Sequence, residues 1–335
     1  MRVLWLLLAL LFASSDIINA SAYSPDGLVP MGSAIGINIS LDGVAVVSVT
    51  DTKNGASPAK LAGICAGDII TEINGTEITC IDDIKNITAG CGGRMLNVVV
   101  LRGGKECHFQ IEPCLNDSGE YEIGVWLRDS MSGLGTMTFY DPDTGVFGAL
   151  GHGISDSESG TLAPLESGVL IDADVTEVVA GRPGFPGQLR GKLDFSTQLG
   201  VIATNTENGI FGTLNNVQAD ESEEIPLCSN GDIKVGKATV LCDIGDGTQQ
   251  YEIEISRLYL GDGFSRKNML VTVTDERLLE TTGGIVQGMS GSPIIQDGKL
   301  AGAVTHVLIN DPTKGYGITI GNMLSAMEES LKDAA

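Results

Sequence analysis

The stretch Gly283-Gly284-Ile285-Val286-Gln287-Gly288-Met289-Ser290-Gly291-Ser292-Pro293-Ile294-Ile295 leaves this chain few ways to fold. Gly288 and Gly291 bracket Met289-Ser290, so the backbone can bend there through dihedrals closed to other residues. Pro293 lacks an N–H and suits the first position of a strand. Asp297-Gly298 is a hairpin signal, and the chain returns as Leu300-Ala301-Gly302-Ala303-Val304-Thr305-His306-Val307. A serine on a turn tied to a packed hairpin is held rigidly. Beside its hydroxyl, the N–H groups of Gly288 and Ser290 can point the same way, and two such donors stabilise the charge that develops in acyl transfer. An isolated Gly-x-Ser-Gly is more often a surface turn. Its meaning depends on the rest of the chain.

With 335 residues there is room for about two domains. The 45 glycines and the 5% aromatic content favour turns and short strands, hence a mainly β fold. A net charge of −23 argues against nucleic acid, whose phosphates need a basic surface, and against anionic headgroups. Five of the seven cysteines (Cys65, Cys80, Cys91, Cys107, Cys114) fall in one stretch, with Cys228 and Cys242 later. No C-x-x-C pair marks a zinc ribbon, and structural or free thiols are expected rather than catalytic ones. No metal and no cofactor is called for.

Arg2 followed by the apolar run from Val3 to Ala13 matches a signal-peptide core. The run is short for a membrane span, which takes about 20 residues. Ala20-Ser21-Ala22 fits a cleavage site, so residues 1–22 are expected to be a signal peptide or N-terminal anchor, and the rest of the chain to be exported. Residues 23–32, with Pro25, Gly27 and Pro30, suggest a linker.

From residue 33 to about 113 the pattern is strand, strand, helical turn at Ser57-Pro58, strand, short helix near Asp82 to Thr88, and two closing strands. The run Ala62-Gly63-Ile64-Cys65-Ala66-Gly67-Asp68-Ile69-Ile70, followed by Ile73-Asn74-Gly75, closely resembles the central signature of PDZ domains. That resemblance implies a unit that adds a peptide to a sheet edge as an extra strand. It also implies Ile35-Gly36-Ile37 as the carboxylate-binding loop, with the helix from Asp82 to Thr88 as the opposite wall. The ligand would be a peptide, from another protein or from this chain itself.

The second unit is expected over residues 119–331. Gly151-His152-Gly153 ends an apolar strand and presents an imidazole, the usual general base at neutral pH. His306, on the strand after the serine loop, is a weaker rival, and His108 belongs to the first unit. Asp275 closes a strand before a helical turn. It either caps that turn or orients the histidine as a third triad member, with Asp156, Asp172 and Asp194 as alternatives. Ser292 is a second candidate nucleophile, but Pro293 spoils its turn.

Gly-His-Gly-Ile-Ser-Asp at 151–156, Thr-Asp-x-x-Leu-Leu at 274–279, the serine stretch and the tail through Gly315-Tyr316-Gly317 together resemble the stage IV sporulation protein B serine peptidases of endospore-forming bacteria. The likeness covers nearly the whole mature chain. It implies a PDZ domain followed by a chymotrypsin-like β-barrel peptidase, with His152, Asp275 and Ser290 as its catalytic residues. It further implies self-cleavage near the N-terminus. Expected action is in the space between forespore and mother-cell membranes, on a regulatory membrane protein that restrains an intramembrane metalloprotease, with activation of a late mother-cell sigma factor. The other class of reading is a PDZ scaffold whose protease-like domain no longer cuts.

Overall fold

The computed structural model describes residues 25–53, 55–155, 160–215, 223–259 and 267–333. The expected signal segment and Asp156 lie outside them. In chain order, β1 (Gly27–Pro30) and β2 (Ala34–Val49) precede α1 (Pro58–Ala62), β3 (Ile69–Ile73), β4 (Thr76–Glu77) and α2 (Ile81–Gly90). Next are β5 (Leu96–Arg102), β6 (Lys105–Ile111), β7 (Cys114–Leu115), β8 (Tyr121–Glu122) and the long β9 (Val125–Tyr140). β10 (Val146–Ala149), β11 (Leu165–Val179), β12 (Gln188–Thr206), β13 (Gly209–Leu214) and β14 (Ile225–Pro226) follow. The last part holds β15 (Gly236–Asp243), β16 (Thr248–Leu258), β17 (Met269–Val273), α3 (Glu276–Thr282), β18 (Pro293–Gln296), β19 (Lys299–Val307), β20 (Lys314–Thr319) and α4 (Ile320–Asp333).

The architecture is a PDZ domain joined to a chymotrypsin-like pair of barrels. β15-β16-β17-β20-β19-β18 closes on itself. Its strands alternate: Tyr251, Ile253 and Ile255 point inward to a core with Val240, Val271 and Ile294, while their neighbours face out. The pairings β9–β10, β10–β13, β13–β12, β12–β11, β11–β2 and β2–β9 close the other ring, the first barrel in chain order, around Ile35, Ile37, Phe147, Leu170 and Ile202, and the β15–β20 ring is the second. α4 lays Ile320, Met323, Leu324 and Met327 against Leu28, Phe139 and Phe211, which seals the two barrels together.

β2 and β9 each serve two units. Residues 34–40 of β2 pair with residues 130–136 of β9 inside the barrel, and Ala45–Val49 pair with Val125–Arg128 in the PDZ unit. The irregularity between Ser40 and Ala45 separates the halves. Beyond it β3, β5 and β6 extend the sheet over a core of Ile70, Ile73, Ile84, Val98 and Ile111. The Gly67-Asp68 signature has a physical reason: fully buried Asp68 is held by a two-pronged Arg102 contact at 2.6 and 2.7 Å and accepts the Cys65 N–H. A buried carboxylate needs that pairing.

Two expectations change. Residues 27–30 form a strand rather than a linker, because buried Leu28 and Val29 pair with β14 and β9 respectively. Residues 34–41 belong to the barrel, and the PDZ unit takes Val125–Arg128 as a strand. The boundaries 33–113 and 119–331 therefore assign each shared strand to one unit, whereas β2 and β9 belong to both.

Candidate active site

Ser290 stands where α3 has delivered the chain to the mouth of the second barrel. Gly283 ends α3 in the left-handed conformation. Gly284 passes so close to Pro312 that a Cβ would lie 2.2 Å from its carbonyl oxygen. Gln287 then crosses to the other barrel, accepting the Leu189 N–H at 2.7 Å. The bracketing glycines are required: Gly288 and Gly291 both have φ +100°, and a Cβ on Gly291 would stand 2.0 Å from the Thr136 oxygen.

β9 clamps this loop from the first barrel. Thr136 Oγ1 donates to Gly288 O at 2.8 Å, the Thr136 N–H to Ser290 O at 3.0 Å, and Thr138 Oγ1 to Gly291 O at 2.8 Å. Three carbonyls of the loop are thereby turned away from the cleft. Among the described residues neither the Gly288 nor the Ser290 N–H has an acceptor, the state an oxyanion hole requires. Sequence reasoning missed Thr136 and Thr138, since nothing local in β9 announces a partner 152 or 153 residues away.

His152 and Ser290 line one cleft of about 510 Å³, together with Thr305, His306, Gly288 and Leu134. His152 follows Leu150 and Gly151, both at φ +67°. A left-handed buried leucine is strained, and such strain clusters at functional sites. His152 Nδ1 lies 2.9 Å from Gly153 O. A carbonyl only accepts, so Nδ1 carries a proton in this contact. Asn205 holds the loop by accepting the Ile154 N–H and donating to Ile154 O and Ala163 O. The ring of exposed His306 is 4.9 Å from that of His152. Ser290 Oγ donates to Thr305 O at 2.7 Å, a resting position for the hydroxyl. Ser292 is fully buried with its hydroxyl unpartnered, which removes it as a nucleophile.

The structure does not bring Asp275 to this cleft. Its carboxylate caps α3 through the Arg277 N–H, takes both Arg277 Nε and Nη2, and accepts the Glu252 N–H. These bonds, led by the Arg277 side chain, lower its pKa to about 2. With both oxygens engaged, Asp275 acts as the cap of α3 rather than as the partner of His152. Asp172 and Asp194 face each other on β11 and β12, both exposed, and neither lines the cleft. All seven cysteines are thiols, and burial pushes the Cys242 pKa up to about 12. Among the described residues no cluster of three His, Cys, Asp or Glu is placed to hold a metal.

The PDZ groove is elsewhere than expected. Ile35, Gly36 and Ile37 are paired with β9 on one side, and Gly36 and Ile37 with β11 on the other. No backbone edge remains there for a ligand, and Gly36 is glycine because a Cβ would meet Ile171 at 2.6 Å. A groove of about 540 Å³ instead runs between α2 and the start of β9, lined by Ile84, Thr88, Ile123, Val125 and Leu127. At its end Gly124 has φ +73°. The Ile123 and Gly124 carbonyls accept from Ala59, Ser57 and Thr50, while their N–H groups have no acceptor among the described residues. The triplet Ile123-Gly124-Val125 has the same apolar-Gly-apolar form as Ile35-Gly36-Ile37 and was the available signal.

A family model described as SpoIVB peptidase S55 matches residues 119–324, and a PDZ domain model matches residues 55–102. The mitochondrial serine protease HTRA2 of Drosophila willistoni is 42% identical over 57 residues, 17% of this chain and 13% of that protein, so the chain spans a small part of its length. The PDZ domain of the SdrC-like protein from Listeria monocytogenes is 28% identical, covering 27% of this chain and 93% of that one, with a TM-score of 0.24. The inactive Ser343Ala form of the Rv3671c protein from M. tuberculosis is 15% identical over 60% of this chain and 83% of that one, with a TM-score of 0.34.

Proposed function

This chain belongs to the SpoIVB peptidase S55 family, and we propose that it is a serine endopeptidase with Ser290 as its nucleophile and His152 as its general base. The observation that carries this reading is that both line one cleft beside two N–H groups without acceptors. Ser290 Oγ leaves Thr305 O, gives its proton to His152 Nε2 and attacks the scissile carbonyl. The Gly288 and Ser290 N–H groups hold the oxyanion. His152 then protonates the leaving amine, and water releases the acyl group by the same route in reverse.

The finer role is a sporulation signalling protease. It cleaves its own N-terminal region and a regulatory membrane protein, which frees an intramembrane metalloprotease and so activates a late mother-cell sigma factor. Family membership and the signal-like residues 1–22 support that role and an exported location. The test compares the protein with Ser290→Ala on a loosely folded protein substrate, sizing fragments by mass spectrometry and labelling with a serine-directed phosphonate. Fragments, a trimmed N-terminus and label that all depend on Ser290 are expected, with a loss on the order of 10⁴-fold or more in the variant. Equal cutting by both proteins moves the nucleophile elsewhere.

A further inference from the structure

The PDZ groove and the catalytic cleft lie on one edge of one strand. β2 covers one side of β9 along its whole shared length, from Val125 to Thr136. On the other side, among the described residues, no strand pairs with β9 before Met137. Val125 to Leu127 line the groove against α2, and Met131 to Leu134 line the cleft that holds Ser290 and His152. An unpaired strand edge is a template for another extended chain. Both ends of this edge are furnished. At the groove end are the unengaged Ile123 and Gly124 N–H groups, the apolar Ile84, Val125 and Leu127, and a buried Thr88 hydroxyl without a partner. At the other end is the peptidase chemistry.

Resting on the peptidase reading, we propose that one substrate occupies both: its free C-terminal carboxylate sits on the Ile123-Gly124 turn, an apolar last residue enters the groove, and the upstream chain runs antiparallel along β9 to Ser290. The carboxylate accepts from N–H groups, which a turn with φ +73° at Gly124 aims together. Groove and cleft are therefore the two ends of a ruler. From Val125 to Leu134 the strand spans about 30 Å, and a paired strand needs about the same number of residues to cover it. The scissile bond then falls about seven to ten residues before the substrate's C-terminus.

The test uses the full chain and synthetic peptides with an apolar C-terminal residue, in which the distance between the C-terminus and a repeated uniform sequence is varied. Cut sites are mapped by mass spectrometry, and binding is followed by the emission of Trp126, which is 66% exposed beside the groove. A Trp126→Phe variant assigns the signal, because Trp5 is the only other tryptophan. Cutting is expected to keep a fixed distance from the C-terminus as the spacer changes. Amidating the C-terminus should raise KM about tenfold and leave kcat unchanged, as loss of binding shared by ground and transition state does. Cut sites that ignore the C-terminus, or equal KM for acid and amide, overturn the proposal, and so does cutting with no Trp126 response. Absence of any cutting or phosphonate label would instead overturn the peptidase assignment of Ser290.

Discussion

Thr136 shows how much of the site depends on one hydroxyl. It is 2% exposed, and its side chain and N–H hold the carbonyls on either side of Met289. Without its hydroxyl, Gly288 O loses its donor, and the Gly288–Met289 peptide, which links the two residues whose N–H groups face the cleft, is held less firmly. Thr136→Val keeps the shape and removes the bond, at a cost of about 1–2 kcal/mol in holding the oxyanion donor. The expected result is a fall of about tenfold in kcat with little change in KM, and Thr136→Ser should restore most of it. Steady-state kinetics on one peptide substrate decide this. An unchanged kcat in Thr136→Val would mean that the glycine dihedrals alone hold the loop.

At the scale of elements, α3 connects an acid to the nucleophile without bringing the two together. Asp275 ties the start of α3 to Arg277 and to β16, and α3 hands the chain to Gly283-Gly284. Its depressed pKa of about 2, against roughly 3.9 in an unfolded chain, gives a definite sign. The stabilisation is complete above about pH 4 and is lost as pH falls toward 2. Asp275→Asn is expected to lower stability by about 1–3 kcal/mol at neutral pH and to flatten the acid limb of a denaturation curve. kcat/KM should stay within about tenfold. A loss near 10⁴, the scale seen when a triad acid is made neutral, would restore Asp275 to the catalytic centre. The sequence could show an acid at a strand end before a helical turn, where cap and triad member look alike. It could not show that Arg277, two residues on, occupies both oxygens. The serine turn was legible because its glycines have local backbone reasons. The β9 clamp and the groove were not, because they depend on pairings far apart in the chain.

At the scale of the whole molecule, β2 decides what can fold alone. The family model begins at residue 119, yet the first barrel is closed by residues 34–41, which bridge β9 and β11. Ile35, Ile37, Ile39 and Leu41 are each at most 4% exposed. Burying four such side chains contributes about 6–12 kcal/mol, comparable to the entire stability of a typical domain at about 5–15 kcal/mol. Removing β2 also leaves two long strands with unpaired edges facing each other across an open core. A protein consisting of residues 119–335 is therefore expected to aggregate or unfold, without phosphonate label at Ser290. The same residues with 25–118 restored should fold in a single transition, because β2 and β9 run through both units and neither can melt without opening the other. Calorimetry of the two proteins checks this. A labelled, cooperatively folded 119–335 would show that the barrel closes without β2, and two separate transitions in the longer protein would show that the shared strands do not couple the PDZ unit to the peptidase.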